Sequence, residues 1–112
     1  MTDWHDVAAR HRTRVRDANE RISADSGTAD QRDAGLRLSC ECDDPACRET
    51  VSLTKREYES VRAWPTRFLI TTDHEDPQVE HLVAENPRFA IVETLPGVTS
   101  RIALRSDPRA MS

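Results

Sequence analysis

Three cysteines stand within eight residues of one another in the first half of the chain. Cys40 and Cys42 form a C-x-C pair, and Cys47 follows after four further residues. Zinc takes four ligands in a tetrahedron, and thiolate sulfur and imidazole nitrogen suit it well. Three sulfurs leave one position for another ligand. The spacing therefore predicts a structural zinc ion held by the three cysteines and one histidine.

The chain contains four histidines that could supply the fourth ligand: His5, His11, His74 and His81. We expect His74 to bind the ion, because it lies in a loop just after an apolar strand and can point back toward the cysteines. His81 is expected on the polar side of a short helix. His5 and His11 lie beyond a flexible linker.

Other interpretations of the cysteine cluster stay open at this point. The thiols could be small buried side chains, whereas an iron–sulfur cluster would need a fuller set of ligands than three cysteines. With only three protein ligands, the ion could activate water as in a hydrolase, or the thiols could act as a redox sensor or nucleophile. The nearby carboxylates that could then serve as a base are also typical of surface turns: Glu41, Asp43, Asp44 and Glu75.

Composition limits the classes of function. No run of 18 apolar residues is present, and residues 1–6 are polar and acidic, so neither a membrane span nor a signal peptide is expected. A cytoplasmic protein is predicted, in which clustered cysteines are more often metal ligands than disulfides. A formal net charge of −4 and 4% aromatic residues argue against nucleic-acid binding. The sequence also lacks common catalytic motifs, which argues against an enzyme.

The first segment is predicted to be a helix with a narrow apolar seam. Its seam residues follow a 4-3-4-3-4 spacing, as in the a and d positions of a heptad. The seam could pack on the rest of the chain, or it could bind a partner protein or a second copy. Arginines 10, 12, 14 and 16 alternate beside acidic residues and predict a solvated surface. The seam residues are Trp4, Ala8, His11, Val15, Ala18 and Ile22.

The remaining chain predicts a small α+β domain. Alternation over 36–42 and 47–53 predicts two strands of a hairpin, and Thr54 with Glu57 forms a capping box for a helix. A strand is expected at 67–71, a helix from Asp76-Pro77, a strand at 89–92 and an edge strand at 98–104. The predicted architecture is a mainly antiparallel sheet with two packed helices, a zinc-stapled hairpin and an N-terminal helical arm. Its segments are an arm at 1–23, a linker at 24–34, the zinc-stabilised domain at 35–106 and a frayed tail at 107–112.

Three stretches resemble a family of small, uncharacterised actinobacterial proteins. They are residues 40–47, 51–62 and 67–77, and the resemblance extends over about residues 36 to 93. Members carry a C-x-C-x4-C hairpin and a later G-H-x-D-P loop. This chain has Asp73 where the family has glycine and keeps His74. The resemblance implies His74 as the fourth ligand, and it gives no indication of what activity the protein has.

Together these patterns predict a small zinc-binding protein that acts as a non-enzymatic interaction or regulatory module. The seam of the first helix would be its docking element. The alternative is a metal-dependent hydrolase or thiol redox sensor that uses an incompletely ligated three-cysteine site. A nucleic-acid-binding protein ranks third.

Overall fold

The computed structural model describes residues 4–25 and 35–109. Most of the predicted linker and the last residues of the predicted tail lie outside this part of the chain. The described part is an α+β fold, as predicted, and none of its helices is long and apolar enough to cross a membrane. Its elements in chain order are α1 (Trp4–Asp25), β1 (Gly35–Ser39), β2 (Thr50–Thr54), α2 (Lys55–Arg62), β3 (Arg67–Ile70), β4 (Glu80–Glu85), β5 (Ala90–Thr94) and α3 (Val98–Arg105).

Every strand pair among the described residues is antiparallel, as predicted, but the strands form two sheets. The first is the β1–β2 hairpin, in which Leu36 lies opposite Leu53 and Leu38 opposite Val51. The second has the order β3-β5-β4. A bulge interrupts β4 between Leu82 and Ala84, so the strand loses its regular alternation there.

The three-stranded sheet lies between two apolar clusters. Successive residues of β3 point to opposite faces, as the pleat of a strand requires. Leu69 joins a cluster formed with the β1–β2 hairpin and α2, whereas Phe68 and Ile70 join a cluster that contains Cys40, Cys42 and Ala103 of α3. Cys40 and Cys42 are therefore members of the second cluster, and Cys47 packs against it.

The capping box predicted for α2 is present. The Thr54 hydroxyl accepts a hydrogen bond from the Glu57 amide at 3.1 Å, and the Glu57 carboxylate accepts one from the Thr54 amide at 2.8 Å. Tyr58 and Val61 then bury one side of the helix. This local signal was sufficient to predict the start of the helix correctly.

The helix predicted from Asp76-Pro77 is wrong. The Asp76 carbonyl accepts hydrogen bonds from the amides of Val79 and Glu80, so the chain makes a single turn there. Strand β4 follows and pairs with β5. His81 thus lies on an exposed strand, not on a helix. Asp-Pro is typical of the start of a helix. Here it starts only a single turn, and pairing with β5 determines that the following residues form strand β4.

The edge strand predicted at 98–104 is also wrong, because these residues belong to helix α3. Thr99, Ile102 and Ala103 are buried, which is the i, i+3, i+4 spacing of one helix face. Gly97 precedes the helix with φ 140°, a conformation that favours glycine. Short apolar runs fit either a strand or a helix, and packing against α1 decides this one.

Helix α1 forms as predicted, but it packs on the domain instead of standing beside it as an arm. Its buried face is mostly polar and lies to one side of the predicted seam. At the ends of the seam, Trp4 and Ile22 remain 54% and 44% exposed, whereas Ala8 is buried. The buried face consists of Ala8, Ala9, Arg12, Thr13, Arg16, Asn19 and Ser23.

Two of the arginines predicted to face solvent are buried. The guanidinium groups of Arg12 and Arg16 lie 4.2 Å and 5.1 Å from the centre of the Phe68 ring, where cation–π attraction favours them. Arg16 also donates to the carbonyls of Pro65 and Ala103 at 2.7 Å and 2.9 Å. These partners come from distant parts of the chain, which is why the local pattern does not reveal them.

Candidate metal centre

The three cysteines lie in the connection between β1 and β2. The Cys40 amide donates to the Glu49 carbonyl at 3.0 Å and extends the hairpin by one step. Beyond Cys42 the chain turns at Asp44, whose carbonyl accepts a hydrogen bond from the Cys47 amide at 3.1 Å. This turn brings Cys47 back toward the C-x-C pair.

His74 is presented by a tight turn just after β3. Its amide donates to the Thr71 carbonyl at 3.0 Å, which closes the turn. Asp73 has φ 72°, in the left-handed region that glycine favours and aspartate tolerates. The turn therefore forms with aspartate at its left-handed position.

The hairpin and this turn bring four donor groups together. One ligand atom from each of Cys40, Cys42, Cys47 and His74 lies within 4.8 Å of all the others. The His74 Nδ1 atom is 3.7 Å from the Cys40 sulfur and 3.6 Å from the Cys47 sulfur. A tetrahedral zinc ion with bonds of about 2.3 Å to sulfur and 2.0–2.1 Å to nitrogen places these atoms about 3.6 Å apart. The four side chains are therefore positioned to bind a metal ion.

No other group of three or more such donors converges within residues 4–25 and 35–109. Three of the four histidines considered from the sequence, His5, His11 and His81, are not part of the cluster. Cys40 and Cys42 are buried, whereas Cys47 and His74 are half-buried. The cluster thus has two ligands inside the protein and two at its surface.

The electrostatics of the cluster favour a cation. A hydrogen bond from the Cys42 thiol, and then one from the Thr71 amide at 3.1 Å, lower the pKa of Cys40 to about 4 against the effect of burial. The same contact with Cys40, together with burial, raises the pKa of Cys42. The contact between the two sulfurs thus favours the thiolate at Cys40 and the thiol at Cys42. A bound metal ion would favour the thiolate form of both.

Glu41, predicted as a surface residue or a candidate base, is fully buried between the two cysteines. Both of its carboxylate oxygens contact Arg62, at 2.8 Å and 2.6 Å. One oxygen also accepts a hydrogen bond from the Asn19 amide group at 2.9 Å, and the other accepts one from the Leu69 backbone amide at 3.0 Å. With its oxygens occupied in this way, Glu41 holds the C-x-C segment in place and is not available as a base.

The other three carboxylates suggested by the sequence are not among the converging ligands. Asp44 is exposed and accepts a hydrogen bond from the Ala46 amide at 2.9 Å. Asp43 is half-buried next to Asp76, and burial followed by this neighbour raises its pKa to about 7. Glu75 is half-buried as well.

Sequence reasoning missed the residues that surround the cysteines. Arg12, Asn19 and Arg62 make hydrogen bonds to the segment that contains the C-x-C pair. The available signal was the spacing of Arg12, Arg16 and Asn19, which places three polar residues on one helical face. A polar stripe of this kind is ordinarily read as a solvated surface.

Fold and donor set together define a small α+β protein in which three cysteines and one histidine form a cluster suited to a metal ion. Comparison with protein-family models, with curated proteins and with solved structures finds no match to the chain.

Proposed function

We propose that the chain binds one zinc ion through Cys40, Cys42, Cys47 and His74, and that the ion has a structural role. The observation that carries the proposal is the pair of sulfur–nitrogen distances of 3.7 Å and 3.6 Å, which match the edge of a zinc tetrahedron. Three thiolates and an imidazole form a typical closed structural zinc site. Such a site has no open position for water, so a hydrolase is disfavoured.

The ion would add a bond between two parts of the chain that the fold already links by hydrogen bonds, such as the one from the Glu41 amide to the Leu69 carbonyl at 2.7 Å. The cysteines belong to the β1–β2 connection and His74 to the loop after β3. In small zinc-binding peptides the ion contributes about 10–16 kcal/mol of folding free energy. A contribution of this kind would matter in a chain of 112 residues with 32% charged residues. We propose a non-enzymatic role on this basis.

Metal analysis of protein purified without added metal tests the zinc proposal. About one zinc per chain is expected in the wild type, and much less in His74→Ala. His81→Ala is the matched control, because this histidine is exposed on β4 and outside the cluster. Iron, no metal, or full zinc retention in His74→Ala would contradict the proposal. Full retention would also return attention to an open three-cysteine site and thus to the hydrolase or redox alternative.

We further propose that the seam of α1 binds a cytoplasmic partner protein through an amphipathic helix with acidic borders. Trp4 and Ile22 at the ends of the seam are exposed, and Val15 and Ala18 are half-buried. Apart from Ala8, the core-facing side of α1 is a different face, so the ends of the seam are exposed and its middle is half-covered by the described residues. A helix face with exposed apolar side chains of this kind is suited to bind a partner helix.

The acidic character of the partner is inferred from the charges beside the seam. Arg14 and Arg21 are exposed on the same helix. After burial, the nearby Arg14 and Arg48 are the main causes that lower the pKa of His11, and Asp44 opposes them. At His11 the charges of Arg14 and Arg48 outweigh that of Asp44, which favours a partner with acidic side chains at this point of the seam.

Two synthetic helical peptides test this docking proposal. Both carry one leucine stripe, bordered by glutamates in the first and by lysines in the second. Fluorescence anisotropy should show binding of the first peptide only, and Arg14→Glu with Arg21→Glu should weaken it. Equal binding of both peptides, or self-association of the protein in sedimentation that Ile22→Glu abolishes, would overturn the proposal.

A further inference from the structure

Helix α1 contacts the C-x-C segment through four hydrogen bonds. The Asn19 amide group donates to the Ser39 carbonyl at 2.9 Å and accepts from the Ser39 backbone amide at 3.1 Å. Asn19 donates to the Glu41 carboxylate at 2.9 Å as well, and Arg12 donates to the Glu41 carbonyl at 2.9 Å. The helix therefore holds the residue before Cys40 and the residue after it.

Asn19 and Arg12 are themselves fixed by their surroundings. Both side chains are fully buried, and Arg12 also forms an ion pair with buried Glu80. Buried side chains that are hydrogen-bonded at several atoms have little freedom to shift. They are thus suited to set the backbone position of the C-x-C segment to within a fraction of an ångström.

We infer that Asn19 and Arg12 are positioning residues of the metal centre, so that packing of α1 and binding of the ion are thermodynamically coupled. This inference rests on the proposed zinc site. Metal–ligand distances tolerate deviations of only about 0.2 Å, and the loss of groups that orient the ligands typically lowers metal affinity about 10- to 100-fold. Coupling of two binding events is reciprocal, so the ion should favour the packed position of α1 by the same factor.

The polar character of this contact is what makes the coupling specific. Arg12, Arg16 and Asn19 occupy the side of α1 where apolar residues would ordinarily pack, and the apolar seam faces elsewhere. The helix is consequently held by directional hydrogen bonds to particular carbonyl groups. A small displacement of residues 39–41 breaks such bonds, whereas apolar contacts would tolerate it.

Zinc affinity, measured by competition with a chromophoric chelator, tests the inference. Asn19→Asp keeps the shape of the side chain and removes the donor to Ser39 and Glu41. Its affinity should fall about 10- to 100-fold. The matched control is Arg16→Met, which removes a fully buried arginine from the same helix face, where its partners are Pro65 and Ala103. In the folded control, with α1 still packed, the affinity should change less than about 3-fold, even if its melting temperature falls as far as that of Asn19→Asp.

The visible spectrum of the protein loaded with Co²⁺ gives a readout that a general loss of stability does not change. The ligand-field bands should shift in Asn19→Asp and stay as in the wild type in Arg16→Met. Arg12→Lys serves as the second variant if Asn19→Asp does not fold, and the same shift is expected. If Asn19→Asp and Arg16→Met lost affinity equally, the inference would be overturned and the proposed zinc site would stand. The same holds if affinity and spectrum were unchanged in both variants. Failure of the wild type to bind zinc would overturn the inference together with the proposed function.

Discussion

Glu41 shows how one residue in the middle of a short motif can connect a site to its scaffold. It stands between Cys40 and Cys42, and its carboxylate is fully buried against Arg62. An ion pair removed from water contributes little net stability, but breaking it leaves a charge without compensation. We therefore expect the pair to matter most for the position of the C-x-C segment, because a shift of Glu41 would separate the two charges.

The first prediction concerns this ion pair. Glu41→Gln keeps the size of the side chain and leaves the buried Arg62 cation without its carboxylate, so stability should fall by about 3–5 kcal/mol. Urea unfolding at saturating zinc measures the change. Adding Arg62→Met to the same protein should recover part of the loss, because it removes the uncompensated charge. A loss below about 1 kcal/mol in the single variant would show that the pair is not needed.

Asp73 provides the second prediction at the scale of a residue. Its φ of 72° costs an ordinary side chain about 1 kcal/mol relative to glycine. Asp73→Ala should therefore destabilise the protein by about 1 kcal/mol, and Asp73→Gly should leave it at least as stable as the wild type. Thermal unfolding compares the three proteins. If alanine were tolerated as well as glycine, the turn would not require the left-handed conformation that presents His74.

At the scale of elements, α2 is fixed by a carboxylate that serves two partners. Glu57 completes the capping box with Thr54 and also binds Arg88, at 2.7 Å and 3.0 Å. Arg88 precedes β5 and also donates to the Ser52 carbonyl of β2 at 3.3 Å. The Arg88 side chain thus connects the start of α2 to β2 in the hairpin, and its backbone leads into β5 of the three-stranded sheet.

The third prediction is a pH dependence at Glu57. Hydrogen bonds from Arg88, and then from the Thr54 amide, lower its pKa to about 2 against a smaller effect of burial. A carboxyl group whose pKa is lowered in the folded state stabilises the fold at pH values above its ordinary pKa of about 4.3. This contribution is lost as the pH falls toward 2. The Glu57 side chain is half-buried and Arg88 is exposed, so we expect a difference of only about 1 kcal/mol between wild type and Glu57→Gln at neutral pH. In urea unfolding this difference should shrink toward zero near pH 2, and a constant difference would contradict the assignment.

At the scale of the whole molecule, the proposed ion lies where three parts of the protein meet. The β1–β2 connection and the β3–β4 loop would supply the ligands, and α1 holds the C-x-C segment through hydrogen bonds to residues 39 and 41. The cysteines also border the apolar cluster around Phe68 and Ile70. Loss of the ion would therefore disturb the packing on one whole face of the three-stranded sheet.

The fourth prediction is a metal-dependent melting temperature. Ligand binding to the folded state alone stabilises it by RT ln(1 + [L]/Kd), which is about 4 kcal/mol at a thousand-fold excess over Kd. Zinc should raise the melting temperature of the wild type, and a chelator should lower it. Cys42→Ala should melt at one low temperature under both conditions. If the chelator left the melting temperatures of both proteins unchanged, the structural zinc ion would be contradicted.

Local signals in the sequence were informative wherever one segment contains the whole reason for its structure. The capping box at Thr54 gave the start of α2, and alternation gave the β1–β2 hairpin. His74 was selected correctly as the histidine that joins the cysteine cluster, because a loop after a buried strand can turn back. The helix from Asp76 and the strand at 98–104 failed, since short apolar runs take their structure from their neighbours.

The sequence by itself determined the three clustered thiols, and it offered four histidines for the fourth position; the structure brought His74 to them. The sequence also determined that α1 is a helix, because that depends on local periodicity. Only the tertiary structure decided which face of α1 is buried, and it buried Arg12, Arg16 and Asn19. The physical reason is that a polar group is stable in the protein interior only where it finds hydrogen-bond partners. Those partners, such as the Glu41 and Ala103 carbonyls, are distant in the chain and come into reach only when it folds.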